Sequence, residues 1–398
     1  MIGRFTFTFV LALIFTRSTC SFTLPNDVSF SAAIQQNIDG SDSASSETSS
    51  KSSRRVRTIP YITTVSTSDH LKAISTFVRP EDTVLELGAQ LDKCTQKIKS
   101  IIKMQGRGIF VDVARTETNS GRSKQGSRDP DMFENMENFP NIQYIELEQF
   151  NQWKTVLESR TFDVLILDVA MLGNDLTLTA MQVIFDFING HCQKGNRPRT
   201  VIVKSKSINS LARRLIHSQR LQDGTVQRDL TKRAKDGKPY IIAAVGVEEY
   251  RRSIPHVITQ TDECVEIGCF SGMTTQMVDE VAKYCIGVDI GPKIITRAKK
   301  EWPQCHFEVG DGWNYKELLR MKQNKLGSEA TIDDILSGYD VLYADIGGLS
   351  GPDGTLESLS LIDGLSNSLE PRCIVIKSLC MRRLASSLRS FTDIEKSF

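Results

Sequence analysis

The sequence predicts an α/β protein built from two tandem doubly wound parallel sheets behind a disordered N-terminal leader, and three observations lead there. The chain has 398 residues, too long for one ordinary core and comfortable for two. Four sequence blocks recur in the same order in its two halves. Each block is a short continuous apolar run ending in an acid, Gly or Lys, as a strand buried on both faces of a parallel sheet reads.

Thr83 to Ile98 (TVLELGAQLDKCTQKI) matches Glu263 to Val278 (ECVEIGCFSGMTTQMV). Gly108-Ile109-Phe110-Val111-Asp112 matches Cys285-Ile286-Gly287-Val288-Asp289, and Phe162 to Asp168 matches Tyr339 to Asp345. Pro198 to Ser205 (PRTVIVKS) matches Pro371 to Ser378 (PRCIVIKS). The interval from Asp112 to Asp168 is 56 residues, as is that from Asp289 to Asp345. Helical segments lie between blocks, such as Gly272 to Tyr284 and Pro292 to Trp302, and this alternation places the ligand site at the carboxyl ends of the strands.

The expected domains are residues 61–250, with a degenerate cofactor turn, and residues 251–398, with a better kept one. The first copy continues past Lys204 through a helix, Ile208 to Gln219, a polar segment and an apolar run, Tyr240 to Val247, read as its last strand. The second copy stops 21 residues after Lys377. It has room for one helix and no final strand pair, so an edge of its sheet must be covered by something else, for which the first domain is the candidate.

Ahead of the repeats, Arg4, an apolar run from Phe5 to Phe15 and small polar residues to Ser21 read as a cleavable signal peptide over residues 1–21. The run is short of the roughly 20 residues a bilayer span needs. Residues 22–60 read as a disordered, transit-like leader: Ser41 to Ser53 holds eight serines, followed by Arg54, Arg55 and Arg57. Together they resemble the two-part presequences that deliver proteins to algal secondary plastids. Ordinary secretion with a flexible arm is the alternative, and no membrane partner is expected once the signal is removed.

Forty per cent hydrophobic residues, 24% charged residues and a net charge of +1 exclude a global pull toward polyanions, so nucleic-acid binding must come from local patches. The segment Arg213 to Lys238, rich in Arg and Lys, either grips phosphate or is a solvated face. Nine cysteines fall mostly in apolar runs without paired spacings, as small buried hydrophobes do. No Asn begins an Asn-X-Ser/Thr site. Both absences suit a reducing, unglycosylated compartment. No metal-ligand set is evident.

The second copy carries the sharper nucleotide signal. Glu266-Ile267-Gly268-Cys269-Phe270-Ser271-Gly272 falls at a strand-to-helix turn, where Gly lets the backbone approach a ligand and the helix start offers free N–H groups. Asp289, 23 residues after Glu266, ends the next strand and can accept from ribose hydroxyls. Asp311 ends the strand after that, within reach of an adenine amine, and Trp313 lies beside it, either against the ring or in core or lid packing.

This order resembles the class I S-adenosylmethionine-dependent methyltransferases: an acid before a Gly-rich turn, an acid ending strand two, an Asp after strand three and an Asp ending strand four. Phe270 stands at the usual middle Gly. The resemblance spans both repeats and implies two tandem Rossmann-like methyltransferase domains, with S-adenosylmethionine held by Glu266, Gly268, Gly272, Asp289 and Asp311. Asp345 with Lys377, and Asp168 with Lys204, resemble the central Asp and second Lys of the Lys-Asp-Lys-Glu set of RNA ribose 2'-O-methyltransferases, which implies catalytic roles for Asp345 and Lys377 and RNA as a partner. A structural salt bridge is the other reading of these pairs.

Departures from that set are specific. Lys238 stands where the Glu is expected. Only Lys72 offers itself as the first Lys of copy one, and copy two has Arg251 and Arg252 but no Lys there. Copy one places Asp92 where copy two has Gly272. Three functions stay open: a methyltransferase of RNA ribose, a methyltransferase of a small metabolite, and a non-catalytic RNA-binding or assembly protein on a decayed fold.

Overall fold

The computed structural model describes residues 59–89, 93–102, 105–113, 140–147, 152, 161–169, 175–190, 197–327, 331, 337–347, 349, 351 and 354–396. The expected signal peptide, all but the end of the leader, and Asp92 lie outside the described residues.

Among the described residues, fourteen strands form two seven-stranded sheets in which every pairing is parallel. The first half contributes β1 (Tyr61–Thr64), β2 (Thr83–Leu87), β3 (Arg107–Val113), β4 (Ile142–Leu147), β5 (Val164–Asp168), β6 (Thr200–Lys204) and β7 (Leu215–His217). The second contributes β8 (Tyr240–Ala244), β9 (Glu263–Ile267), β10 (Tyr284–Asp289), β11 (His306–Val309), β12 (Val341–Ala344), β13 (Cys373–Lys377) and β14 (Leu388–Ser390). The sheet orders are β14-β1-β6-β5-β2-β3-β4 and β11-β10-β9-β12-β13-β8-β7. Each expected block is a strand, and the tandem doubly wound α/β class holds.

The halves exchange their last strands. After β6, helix Lys206–Arg214 packs on β1 and β14, then runs directly into β7, which pairs with β8 in the second sheet. After β13, helix Leu379–Ser387 packs on β8 and β7, then runs directly into β14, which pairs with β1 in the first sheet. Two sequence expectations are corrected by this. Tyr240–Ala244 does not close the first sheet but pairs with β13, in the position β1 holds against β6, so the change of sheet does not fall at residue 250. The second copy does have a final strand, β14, and gives it away. The expectation that the first half covers an edge of the second sheet is met by β7.

Strands buried on both faces need apolar layers on both sides. Alternate residues such as Leu85, Leu87 and Val203 of the first sheet and Val265, Ile267 and Ile376 of the second belong to one continuous core. Helix residues Met181, Ile184, Leu361 and Leu365 fill that core between them. The opposite faces carry separate clusters, one around Ile74, Val84 and Ile202 and the other around Tyr250, Tyr343 and Val375.

The repeat extends to its polar ties. Arg199 pairs with buried Asp82 and donates to Phe77 O at 2.6 Å, while Arg372 pairs with buried Asp262 and donates to Val257 O at 2.9 Å. Asp163 accepts from Thr83 N and Asp340 from Glu263 N, each at 2.9 Å. Ser205 and Ser378 cap the helices that follow β6 and β13, accepting from Ile208 N at 3.0 Å and Met381 N at 3.2 Å. A carboxylate or hydroxyl that satisfies an orphan N–H at a strand or helix start is conspicuous in sequence only because it recurs.

Candidate cofactor cleft at the switch point of the second sheet

Numbered within its own half, the second sheet runs three (β11), two (β10), one (β9), four (β12), five (β13). Strand order reverses between β9 and β12, and a doubly wound sheet opens a crevice at the carboxyl ends of the strands there. Six of the seven residues expected to form the site end β9, β10, β11, β12 or β13 or lie in the turns just beyond them; Glu266 lies within β9.

Gly268 and Gly272 bracket the turn after β9, with φ +80° and +81°. A Cβ on Gly268 would meet the carbonyl oxygen of Asp345 at 2.1 Å, and one on Gly272 would meet the Phe307 ring at 2.5 Å. Both positions therefore demand Gly for conformation and for space. Gly268 N and Cys269 N donate to Val288 O at 2.8 and 3.0 Å, which ties the turn to β10. Gly88 of copy one keeps the same bend, with φ +83° and N–H donation to Val111 O at 2.9 Å.

Asp289 ends β10 with both carboxylate oxygens placed: Oδ2 accepts from Phe270 N at 3.2 Å and Oδ1 from Gly291 N at 2.9 Å. Each oxygen keeps a lone pair for a ligand hydroxyl. Asp311 is exposed, and its Oδ1 accepts from Trp313 N at 3.0 Å. Around these acids stand large apolar side chains in solvent: Ile290 is 74% exposed, Phe270 64% and Trp313 42%. Core packing is thus not the role of Trp313. Exposed apolar groups beside fixed polar ones are the makings of a ligand wall.

Glu266 is 2% exposed and accepts from Thr275 Oγ1 at 2.5 Å. Burial, reinforced by nearby Asp345 and opposed by the Thr275 hydrogen bond and Arg251, pushes its carboxyl up to about 8. Glu86 and Thr95 repeat the contact in copy one at 2.8 Å. The expected ligand acid is therefore also a strand-to-helix tie, which explains its presence in both copies.

Lys377 Nζ meets Asp345 Oδ2 at 2.5 Å, and Lys204 meets Asp168 at 2.8 Å. Asp168 and Lys204 are register partners, and Asp345 and Lys377 follow the last register pair of β12 and β13, Ala344 and Ile376. Lys72 joins no such set: it pairs with Glu395 at 2.7 Å on the surface.

Arg251, which the sequence placed before the copy-two turn without a role, acquires one from its contacts. Its Nε donates to Thr274 Oγ1 at 3.0 Å in the first turn of helix Met273–Asp279, and it is half-buried near Glu266. The short helix Val247–Arg252, which follows β8 of the second sheet, carries it there.

No protein-family profile and no curated protein sequence matches this chain. Solved structures do. A TehB-like S-adenosylmethionine-dependent methyltransferase from Corynebacterium glutamicum matches with 18% identity over 32% of this chain and 60% of its own, TM-score 0.23. A sugar N-methyltransferase from Streptoalloteichus matches with 13% identity over 32% and 44%, TM-score 0.22. A phosphoethanolamine N-methyltransferase from Haemonchus contortus matches with 11% identity over 35% and 25%, TM-score 0.18. Each match spans less than two thirds of the solved protein.

Proposed function

We propose that the chain is an S-adenosylmethionine-dependent methyltransferase whose second half holds the cofactor. The observation that carries this is the group of residues gathered at the strand ends of the switch point. Two left-handed glycines, a fixed Asp289 and the exposed Phe270, Ile290 and Trp313 fit a ligand with a ribose, an aromatic base and a charged tail. Asp289 would accept from the ribose hydroxyls, Asp311 would face the base, and the Gly268–Gly272 turn would pass beneath the aminoacyl part. Glu266 lies under that turn, and Arg251 supplies a cation for a carboxylate.

The bound cofactor supplies an electrophilic methyl on a cationic sulfur. In the transfer an acceptor oxygen would bond the methyl as the carbon–sulfur bond breaks, and its proton would pass to water at the open strand-end edge. Lys377, paired with Asp345 at 2.5 Å, would donate to an acceptor hydroxyl and orient it for in-line attack, and positioning accounts for much of the rate in such a step. RNA ribose is the acceptor class that the Asp345–Lys377 pair suggests, with a hydroxyl of a small metabolite as the alternative.

Calorimetry of the full chain with S-adenosylmethionine is expected to show micromolar-range binding that Asp289→Ala weakens by about 100-fold, since two hydrogen bonds to ribose are lost. No heat from the wild-type chain would leave a non-catalytic protein on this fold. Lys377→Met is expected to keep cofactor affinity and lose about 100-fold or more in methyl transfer. A radiolabelled methyl assay on total RNA beside a metabolite extract measures this and selects the acceptor. Equal loss of affinity and transfer in Lys377→Met would make the ion pair structural.

A further inference from the structure

The exchange of β7 and β14 creates a cavity that belongs to neither half alone. It measures 360 Å³ and is lined from one side by Ile216 and Arg220 and by the loop carrying Arg228, and from the other by Arg389, Ser390 and Asp393. None of its lining residues belongs to the cofactor cleft.

Its chemistry is lopsided. Three arginines, Arg220, Arg228 and Arg389, face it together with a single acid, Asp393. Ser390 is 2% exposed, and its Oγ has no hydrogen-bond partner among the described residues. The same holds for Arg228 Nη1, which is buried. Arg389 donates through Nη1 to Ala385 O and Leu388 O, each at 2.9 Å, so its guanidinium is anchored where it stands. Burial lowers the pKa of both Arg228 and Arg389; at Arg228 nearby Tyr240 and Asp393 oppose this, and the charge of Arg220 adds to it at both. Buried donors without acceptors are uncommon in proteins and call for an explanation. Like charges gathered around one cavity are costly unless an anion joins them.

We propose that this cavity binds a phosphate-bearing small molecule, its oxygens taken by the guanidinium groups of Arg220 and Arg228 and by the hydroxyl of Ser390. Planar guanidinium groups suit phosphate oxygens in paired hydrogen bonds. The volume exceeds what one phosphate group fills, so a diphosphate or a phosphate ester fits better than the free ion. This gives part of the basic segment Arg213 to Lys238 a specific role. Other parts of it are spent on structure: Arg214 is buried and donates to Pro239 O at 2.8 Å, and Arg233 pairs with Glu370. Because the walls come from both exchanged strands, the ligand would also pin the crossover of the two halves.

The test is calorimetry and thermal unfolding of the full chain with pyrophosphate, glycerol phosphate and inorganic phosphate in separate titrations. Saturable binding with a raised midpoint is expected for at least one of the first two. Arg228→Gln should weaken it at least 10-fold. Ser390→Ala, which breaks no hydrogen bond in the fold, should weaken it several-fold with an unchanged midpoint in the absence of ligand. Preference for pyrophosphate over glycerol phosphate identifies a diphosphate ligand, and the reverse a monoester. The proposal is overturned if none of the three binds by roughly 10 mM, or if Ser390→Ala and Arg228→Gln bind as the wild type does. Neither result depends on cofactor binding.

Discussion

Deleting residues 388–398 is expected to lower the stability of the whole protein by about 5 kcal/mol, although it removes only the last strand and a short helix. Leu388 and Phe391 are each about nine-tenths or more buried, and burial of such a side chain contributes roughly 1.5–3 kcal/mol. Leu388 belongs to the core shared by both sheets, and Phe391 to the outer cluster of the first sheet. The deletion also strips β1 of one of its two parallel partners, leaving only β6, and exposes an unpaired edge on the first sheet. With total stabilities of about 5–15 kcal/mol usual for folded domains, little would remain. Urea unfolding followed by tryptophan fluorescence measures the loss. All three tryptophans of the chain lie outside the deleted residues, and Trp302 and Trp313 report on the second half. A midpoint equal to that of the full chain would show that the exchanged strand is dispensable; a lowered one shows that damage to the first sheet is felt through the common core.

The second large effect concerns pH. The Glu266 carboxyl is held up to about 8 by burial, whereas in the unfolded chain it titrates near its ordinary value, about 4.3. Below that value both states are protonated and the group is neutral to stability. Between it and about 8, the unfolded state releases a proton that the folded state keeps, so stability falls as pH rises through this window. The accumulated loss near pH 8 is on the order of 4 kcal/mol. Glu266→Gln keeps an oxygen to accept from Thr275 Oγ1 and cannot ionise. Its stability advantage over the wild type is therefore expected to be small at pH 5 and to grow toward pH 8. Denaturation at several pH values measures the gap, and a gap that stays constant would mean that Glu266 is ionised in the fold.

The strand blocks were legible in the sequence because burial on both faces leaves no choice of residue. Val164-Leu165-Ile166-Leu167 and Cys373-Ile374-Val375-Ile376 can be little else. The turn at Gly268 was legible for a related reason, since positive φ and close approach to Asp345 admit only Gly. Asp289, Asp311, Asp345 and Lys377 could be placed together from sequence because strand ends in a doubly wound sheet converge on one edge. Trp313 could be placed beside Asp311 by sequence, but whether it faced core or solvent depended on what lay across from it.

Pairing partners were not legible in the same way. Tyr240–Ala244 is apolar and follows the first copy, and its own composition fits either sheet. One sequence signal does separate the cases: Pro60-Tyr61-Ile62 recurs as Pro239-Tyr240-Ile241 and marks a fifth repeated block at the start of each unit. Arg251 was already in the second unit by sequence, but its contact with Thr274 was not legible there. The three-residue strands β7 and β14 carry too little pattern to be seen at all.

By itself, the sequence determined the class of fold, the duplication, and the turn and strand-end residues of one cleft, because these follow from local conformation and from period. Only the tertiary structure decided which half owns which edge, that the halves share one core, and that the exchanged strands enclose a cavity of arginines. Those features depend on contacts between residues far apart in the chain, and such contacts leave no periodic trace in the residues that make them.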